Sequence, residues 1–165
     1  VKTAPQPSPV SSSFIRRPAG RFMLYLVIIY ASIVAFMYFY QRKLIFYPER
    51  SAVSLEHYSL PGFEETFLTA EDGVRLQAWY SPARAGFATL IYFHGNAGHL
   101  GYRDERFRTF AASGLGVLAL SYRGYGASEG LPDEEGLYRD GRAAIHFLLQ
   151  NQGLNHSNII LFGES

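Results

Sequence analysis

From Phe22 to Tyr40 the chain reads FMLYLVIIYASIVAFMYFY, nineteen residues without a charge. A helix of this length spans roughly 28 Å at about 1.5 Å per residue, the thickness of a bilayer's hydrocarbon core. A buried helix of a soluble core usually carries a polar stripe, and this run has none. Arg16, Arg17 and Arg21 stand before it and Arg42 and Lys43 after it, while Tyr38, Phe39 and Tyr40 gather at its far end like an interfacial aromatic belt. The run is long for the apolar region of a cleaved leader, and Phe-Tyr-Gln-Arg-Lys follows it where such a leader has small residues. The pattern predicts an uncleaved transmembrane anchor over residues 22–40, a membrane partner for this segment. Lys2, Arg16, Arg17 and Arg21 precede the span and Arg42, Lys43 and Arg50 follow it, a margin of one charge in favour of a cytoplasmic N-terminus.

Around the anchor the chain is expected to divide into a disordered basic tail (1–21), a connector (41–63) and an α/β domain (64–165). Val1 to Ser13 are rich in Pro and Ser and have no apolar period, so nothing offsets the entropy of ordering them. Five strands are expected beyond the connector: Glu64–Ala70, Val74–Tyr80, Ala88–Phe93, Val117–Tyr122 and Asn158–Phe162. Glu71-Asp72-Gly73 joins the first two as a hairpin turn, so the sheet opens antiparallel. The third and fourth are apolar on both faces, with a helix-length stretch, Tyr102–Ser113, between them and Gly114 as its stop, which makes a parallel βαβ unit. Leu131-Pro132-Asp133-Glu134-Glu135 opens a second helix, carried to about Gln150 by Leu137, Ala144, Phe147 and Leu148 at helical spacing. The chain starts at Val1 and reaches Ser165 within a strand-to-turn pattern, so both ends are expected to be cuts in a longer protein.

A net charge of +1, with no basic cluster after residue 50, gives no basis for a nucleic-acid partner. With no cysteine, these residues offer no disulfide, thiolate nucleophile or cysteine-ligated zinc. His94 and His99 with Asp72 or Asp104 lack the i, i+4 spacing and carboxylate cluster of a metal site, so no metal is expected. Gly95, Gly98 and Gly101 have no following Lys-Ser/Thr, and Gly124, Gly126 and Gly130 miss the dinucleotide spacing by one, so both sets read as turns and no cofactor is expected.

Leu161-Phe162-Gly163-Glu164-Ser165 sets a serine directly after an apolar strand, with Gly163 two positions back. This is the first half of G-x-S-x-G, the strained strand-to-helix turn that holds a nucleophilic hydroxyl clear of the backbone, where a side chain at position 163 is expected to crowd. A bare Gly-x-Ser is more often a loop serine or a helix N-cap, and its place after the fifth strand is what favours a nucleophile.

The residues Arg42-Lys43-Leu44-Ile45-Phe46-Tyr47-Pro48, Phe93-His94-Gly95-Asn96-Ala97-Gly98, Ser121 through Gly130 (SYRGYGASEG) and Gly163-Glu164-Ser165 resemble the Bem46-like branch of the α/β hydrolases. The resemblance covers residues 42–165, with its motifs in the family's order. It implies an α/β fold in which this chain is the N-terminal half of an eight-stranded sheet preceded by one transmembrane helix, a Ser-Asp-His triad and no cofactor. In that plan Ser165 is the nucleophile and the backbone N–H of Asn96 is one oxyanion donor. Gly95 and Gly98 let the loop approach the substrate, and His94 braces it. His94 is not the general base, because the fold's acid and histidine follow the serine in chain order. Arg123 and Ser128 are expected to lock the turn after the fourth strand by hydrogen bonds.

The function implied is hydrolysis of a carboxylic ester, thioester or related acyl bond of a small-molecule or lipid substrate, by a membrane-held serine hydrolase of which only the nucleophile lies in these residues. On its own this stretch is expected to be inactive. The alternative is a catalytically silent member of the same fold, serving as a binding or scaffold module at the membrane.

Overall fold

The computed structural model describes residues 13–51 and 53–164. The chain divides into two compact units, Val1–Gln41 and Arg42–Ser165.

The described residues of the first unit, 13–41, belong to α1, Ser13–Ile45, of which residues 42–45 are counted with the second unit. Its segment Pro18–Ile45 contains an 18-residue stretch of mean hydropathy 2.3 and is exposed throughout, which is unlike the buried helix of a soluble core. By length and composition it is able to cross a membrane. Within it the one hydroxyl of Ser32 donates to Ile28 O at 2.8 Å, so that polar group is satisfied by the helix itself. The helix begins at Ser13, inside the stretch expected as a disordered tail, because an apolar run of this length propagates helix into its polar flank. Residues 1–12 of that tail lie outside the described residues.

The second unit is a five-stranded sheet with a helix on each face. β1 (Glu64–Thr69) and β2 (Arg75–Ser81) form the antiparallel hairpin, closed at Asp72-Gly73 by Gly73 at φ +84° with its N–H on Ala70 O at 2.8 Å. β3 (Thr89–Phe93) leads through α2 (Asp104–Ala112) to β4 (Gly116–Leu120), and β4 leads through α3 (Glu134–His146) to β5 (Ile159–Gly163). The strand order is β1-β2-β4-β3-β5: β4 is antiparallel to β2 and parallel to β3, and β5 is parallel to β3 on its other side. The boundaries differ from the expected ones by one or two residues. A 3-10 turn, Leu100–Arg103, replaces the start of α2, and a π-helical turn, Phe147–Asn151, extends α3.

Strand alternation divides the core in two. Leu76, Ala78, Tyr80, Ile91, Leu118 and Leu120 meet Ala143, Ala144 and Leu148 on the α3 side. Trp79, Leu90, Tyr92, Val117 and Ala119 meet Phe107 of α2 on the other. Both faces are buried, which is why the central strands read as continuous apolar runs.

The segment expected to be a connector is instead part of this domain. Val53, Leu60 and Phe63 are buried beside Trp79 and Phe107, and Tyr47–Pro48 pairs in parallel with Ala97–Gly98. These apolar residues follow no period, so they carried no signal before the sheet supplied a surface to cover.

The topology also locates a cleft. From β3 the chain crosses to β4 over one face, and from β4 it crosses back over the other face to β5. The two connections leave the carboxyl ends of the neighbouring strands β3 and β4 toward opposite faces, the kind of divergence beside which open α/β sheets leave room for a ligand.

Candidate active site at the carboxyl ends of β3 and β5

Phe93 and Gly163 are the last register pair of β3 and β5, and Glu164 N–H continues the ladder to Phe93 O at 2.9 Å. The loop His94–Gly98 and the turn at Gly163-Glu164 therefore lie side by side. Ser165 itself lies outside the described residues. Among the described residues a Cβ on Gly163 would meet nothing within 4 Å, so the expected crowding is not found there.

His94 is buried and uses both ring nitrogens. Tyr122 N–H donates to its Nε2 at 3.3 Å, which leaves the proton on Nδ1 to donate to Gly95 O at 2.7 Å. Its ring also stands edge-on to Tyr122 and Tyr125. Burial holds its pKa down at about 4, so the ring is neutral near pH 7 and acts as a brace with no free nitrogen for a substrate or a metal.

Gly95 donates its N–H to Glu164 Oε2 at 3.3 Å, while a Cβ there would make only ordinary contacts at 3.6–3.7 Å. Gly98 is the glycine the backbone demands, with φ +77° and a Cβ position 2.6 Å from the Tyr102 ring. Asn96 is exposed at the crest of the loop. Its carboxamide donates through Nδ2 to Ile45 O, and its Oδ1 accepts from Tyr47 N–H at 3.4 Å and from Tyr125 OH at 3.1 Å.

Glu164 binds these pieces together. Its Oε2 accepts from Arg103 Nε at 2.6 Å, Tyr92 OH at 2.8 Å and Gly95 N–H, and its Oε1 lies 3.4 Å from Arg106. Desolvation pushes this carboxyl up, but the hydrogen bonds from Arg103, Tyr92 and Gly95 outweigh it and hold the pKa at about 2. Arg103 spends its other donors on His99 O (3.1 Å) and Ala97 O (3.0 Å), so one ion pair fixes both sides of the loop.

Sequence reasoning missed this cluster. The available signal was a carboxylate beside an apolar strand end, a position that requires a counter-charge. A cleft of about 450 Å³ opens beside it, lined by Glu49, Ala97, Gly98, Tyr102, Arg103, Arg106 and Glu164.

The neighbouring turn after β4 is locked as expected. Ser128 Oγ accepts from Gln77 N–H at 2.8 Å and donates to Ser121 O at 2.7 Å. Buried Arg123 binds Asp140 through Nε at 2.9 Å and Asp72 through a terminal nitrogen at 2.8 Å, and its own N–H donates to Asp140 Oδ2 at 2.9 Å. Asp72 and Asp104 are thus engaged by arginines, the latter by Arg108 at 3.0 Å, and among the described residues no three His, Asp or Glu converge as metal ligands.

No protein-family model matches the chain. It is 36% identical over 141 residues to the α/β hydrolase domain-containing protein WAV2 of Arabidopsis thaliana, covering 80% of this chain and 46% of that one. It is 33% identical over 141 residues to protein bem46 of Schizosaccharomyces pombe, covering 80% and 47%. Among solved structures it resembles an α/β hydrolase from Vibrio vulnificus, with 28% identity, a TM-score of 0.54 and 66% and 36% of the two chains covered. It also shares the fold of the Pyrococcus furiosus esterase Pf2001, at 23% identity and a TM-score of 0.56 over 70% and 45% of the two chains. The chain spans about half the length of the curated relatives it matches.

Proposed function

Because the chain belongs to the Bem46-like α/β hydrolases, we propose that it forms part of a membrane-anchored serine hydrolase of acyl bonds, with Ser165 as nucleophile. The observation that carries this reading is the register of β3 and β5. It brings the Gly95-Asn96 loop against the turn that leads into Ser165, at the carboxyl edge of the sheet, with Glu164 pinning both.

In this mechanism the Ser165 hydroxyl attacks the acyl carbonyl while a histidine takes its proton. Asn96 N–H and the N–H of the residue after the nucleophile receive the oxyanion. Collapse of the tetrahedral intermediate expels the leaving group, which takes the proton from the histidine, and water repeats the cycle on the acyl-enzyme. The acid and the histidine follow Ser165 in chain order. His94 is unsuited to the base role because both its nitrogens are engaged.

The substrate is a small-molecule or lipid ester, thioester or related acyl compound. The uncharged run Phe22–Tyr40 serves as the membrane anchor, with its N-terminus on the cytoplasmic side. In the full-length protein a fluorophosphonate should label Ser165, and Ser165→Ala should abolish labelling and lower kcat by several orders of magnitude. Labelling that survives the substitution would move the nucleophile elsewhere, and a folded protein that is never labelled would favour a silent binding module.

A further inference from the structure

We propose that the Asn96 side chain is a positioning residue for this reaction, fastening the loop that carries the oxyanion donor to the chain segment that leaves the apolar helix. The inference rests on the hydrolase reading above and adds to it a role for the carboxamide, distinct from that of the Asn96 backbone.

The donor's direction is set by a planar peptide. In a trans peptide the N–H of Asn96 points opposite to the C=O of Gly95. That carbonyl is held by His94 Nδ1–H at 2.7 Å, and the preceding N–H of Gly95 is held by Glu164. The other end of the unit, residue 96, is held by its own side chain. Nδ2 donates to Ile45 O, Oδ1 accepts from Tyr47 N–H at 3.4 Å, and Tyr125 OH is shared between Oδ1 at 3.1 Å and the Asn96 carbonyl at 2.9 Å. Three stretches of chain meet at this one group: residues 45–49, 96–98 and 125–126. The parallel pairing of Tyr47–Pro48 with Ala97–Gly98 and the bond from Gly126 N–H to Glu49 O at 2.8 Å complete the junction.

Only a carboxamide of this length suits the position. It must donate to one backbone carbonyl and accept from one backbone N–H on the same planar head. Aspartate would lose the donor and set a carboxylate oxygen against the Ile45 carbonyl, and alanine would release both contacts.

Ile45 lies five residues beyond Tyr40, the end of the uncharged run, a reach of at most about 18 Å even when fully extended. The seat of the donor loop is therefore built from the exit of the anchor. Displacement of that exit frees one side of the Gly95-Asn96 peptide while His94 and Glu164 still hold the other.

The test uses full-length protein in detergent micelles, with p-nitrophenyl acetate as substrate and the rate of fluorophosphonate labelling as a second readout. Asn96→Ala and Asn96→Asp should lower kcat by about 10- to 100-fold, the range for a misplacement near 1 Å, with KM nearly unchanged. The labelling rate should fall in parallel, because the phosphonyl oxygen uses the same donor. Tyr125→Phe, which removes one hydroxyl, should fall in the same direction and decides the matter if the Asn96 variants do not fold. A wild-type protein that labels at Ser165 while folded Asn96 variants react at its rate would overturn the positioning role and leave the hydrolase reading standing. A change confined to KM would overturn it equally. A folded wild-type protein that does not label would overturn both.

Discussion

Two glycines of α3 should respond in opposite senses to the same substitution. Gly136 and Gly141 both lie within Glu134–His146 and neither has a positive φ, so alanine fits the backbone at either position and gains up to about 1 kcal/mol of helix propensity. At Gly141 the new methyl would meet only the Phe93 ring, at an ordinary 3.8 Å. At Gly136 it would lie 2.5 Å from Arg123 Cδ and 2.7 Å from its Nε. A long arginine normally swings aside, but this one is buried between Asp140, which is fully buried, and Asp72. Moving it away leaves Asp140 a buried carboxylate without its partner, a loss of roughly 3–5 kcal/mol. Set against the propensity gain, Gly136→Ala should destabilise by about 2–4 kcal/mol, whereas Gly141→Ala should stabilise by about 0.5–1 kcal/mol. Urea unfolding of the full-length protein in non-ionic detergent, followed by circular dichroism, reads both as midpoint shifts at constant slope. A neutral or stabilising Gly136→Ala would show that the Arg123 cluster yields at little cost, refuting its treatment as a fixed element.

Acid should weaken the fold before the carboxylates titrate. Burial lowers the His94 pKa from its usual 6.5 to about 4, so the unfolded chain binds the extra proton; its contribution is complete above pH 6.5 and is lost as pH falls toward 4, by about 3 kcal/mol. Urea midpoints that stay flat between pH 7 and 4.5 would contradict this, and His94→Gln should flatten the slope. Glu164, also depressed, adds a loss of the same sign at lower pH, between its usual 4.5 and about 2. The full-length protein should stay with membranes through high-salt and alkaline carbonate washes, as the uncharged run Phe22–Tyr40 requires, and release by carbonate would count against a spanning helix.

Local chemistry made much of this protein legible from its residues in order. The charge-free run, the Asp72-Gly73 turn and the doubly apolar strands each act through near neighbours, so their patterns survive in one dimension. The glycine-bearing loop after β3 was readable for the same reason. Tertiary structure alone decided the strand order and the burial of Val53, Leu60 and Phe63. It also decided the partners of Glu164 and the use of the Asn96 carboxamide. Each of these depends on groups far apart in the chain, such as Arg103 with Glu164, 61 positions away, and Asn96 with Ile45, 51 positions away. A charge or an amide in sequence states that it needs a partner, and only the folded sheet determines which partner comes within reach.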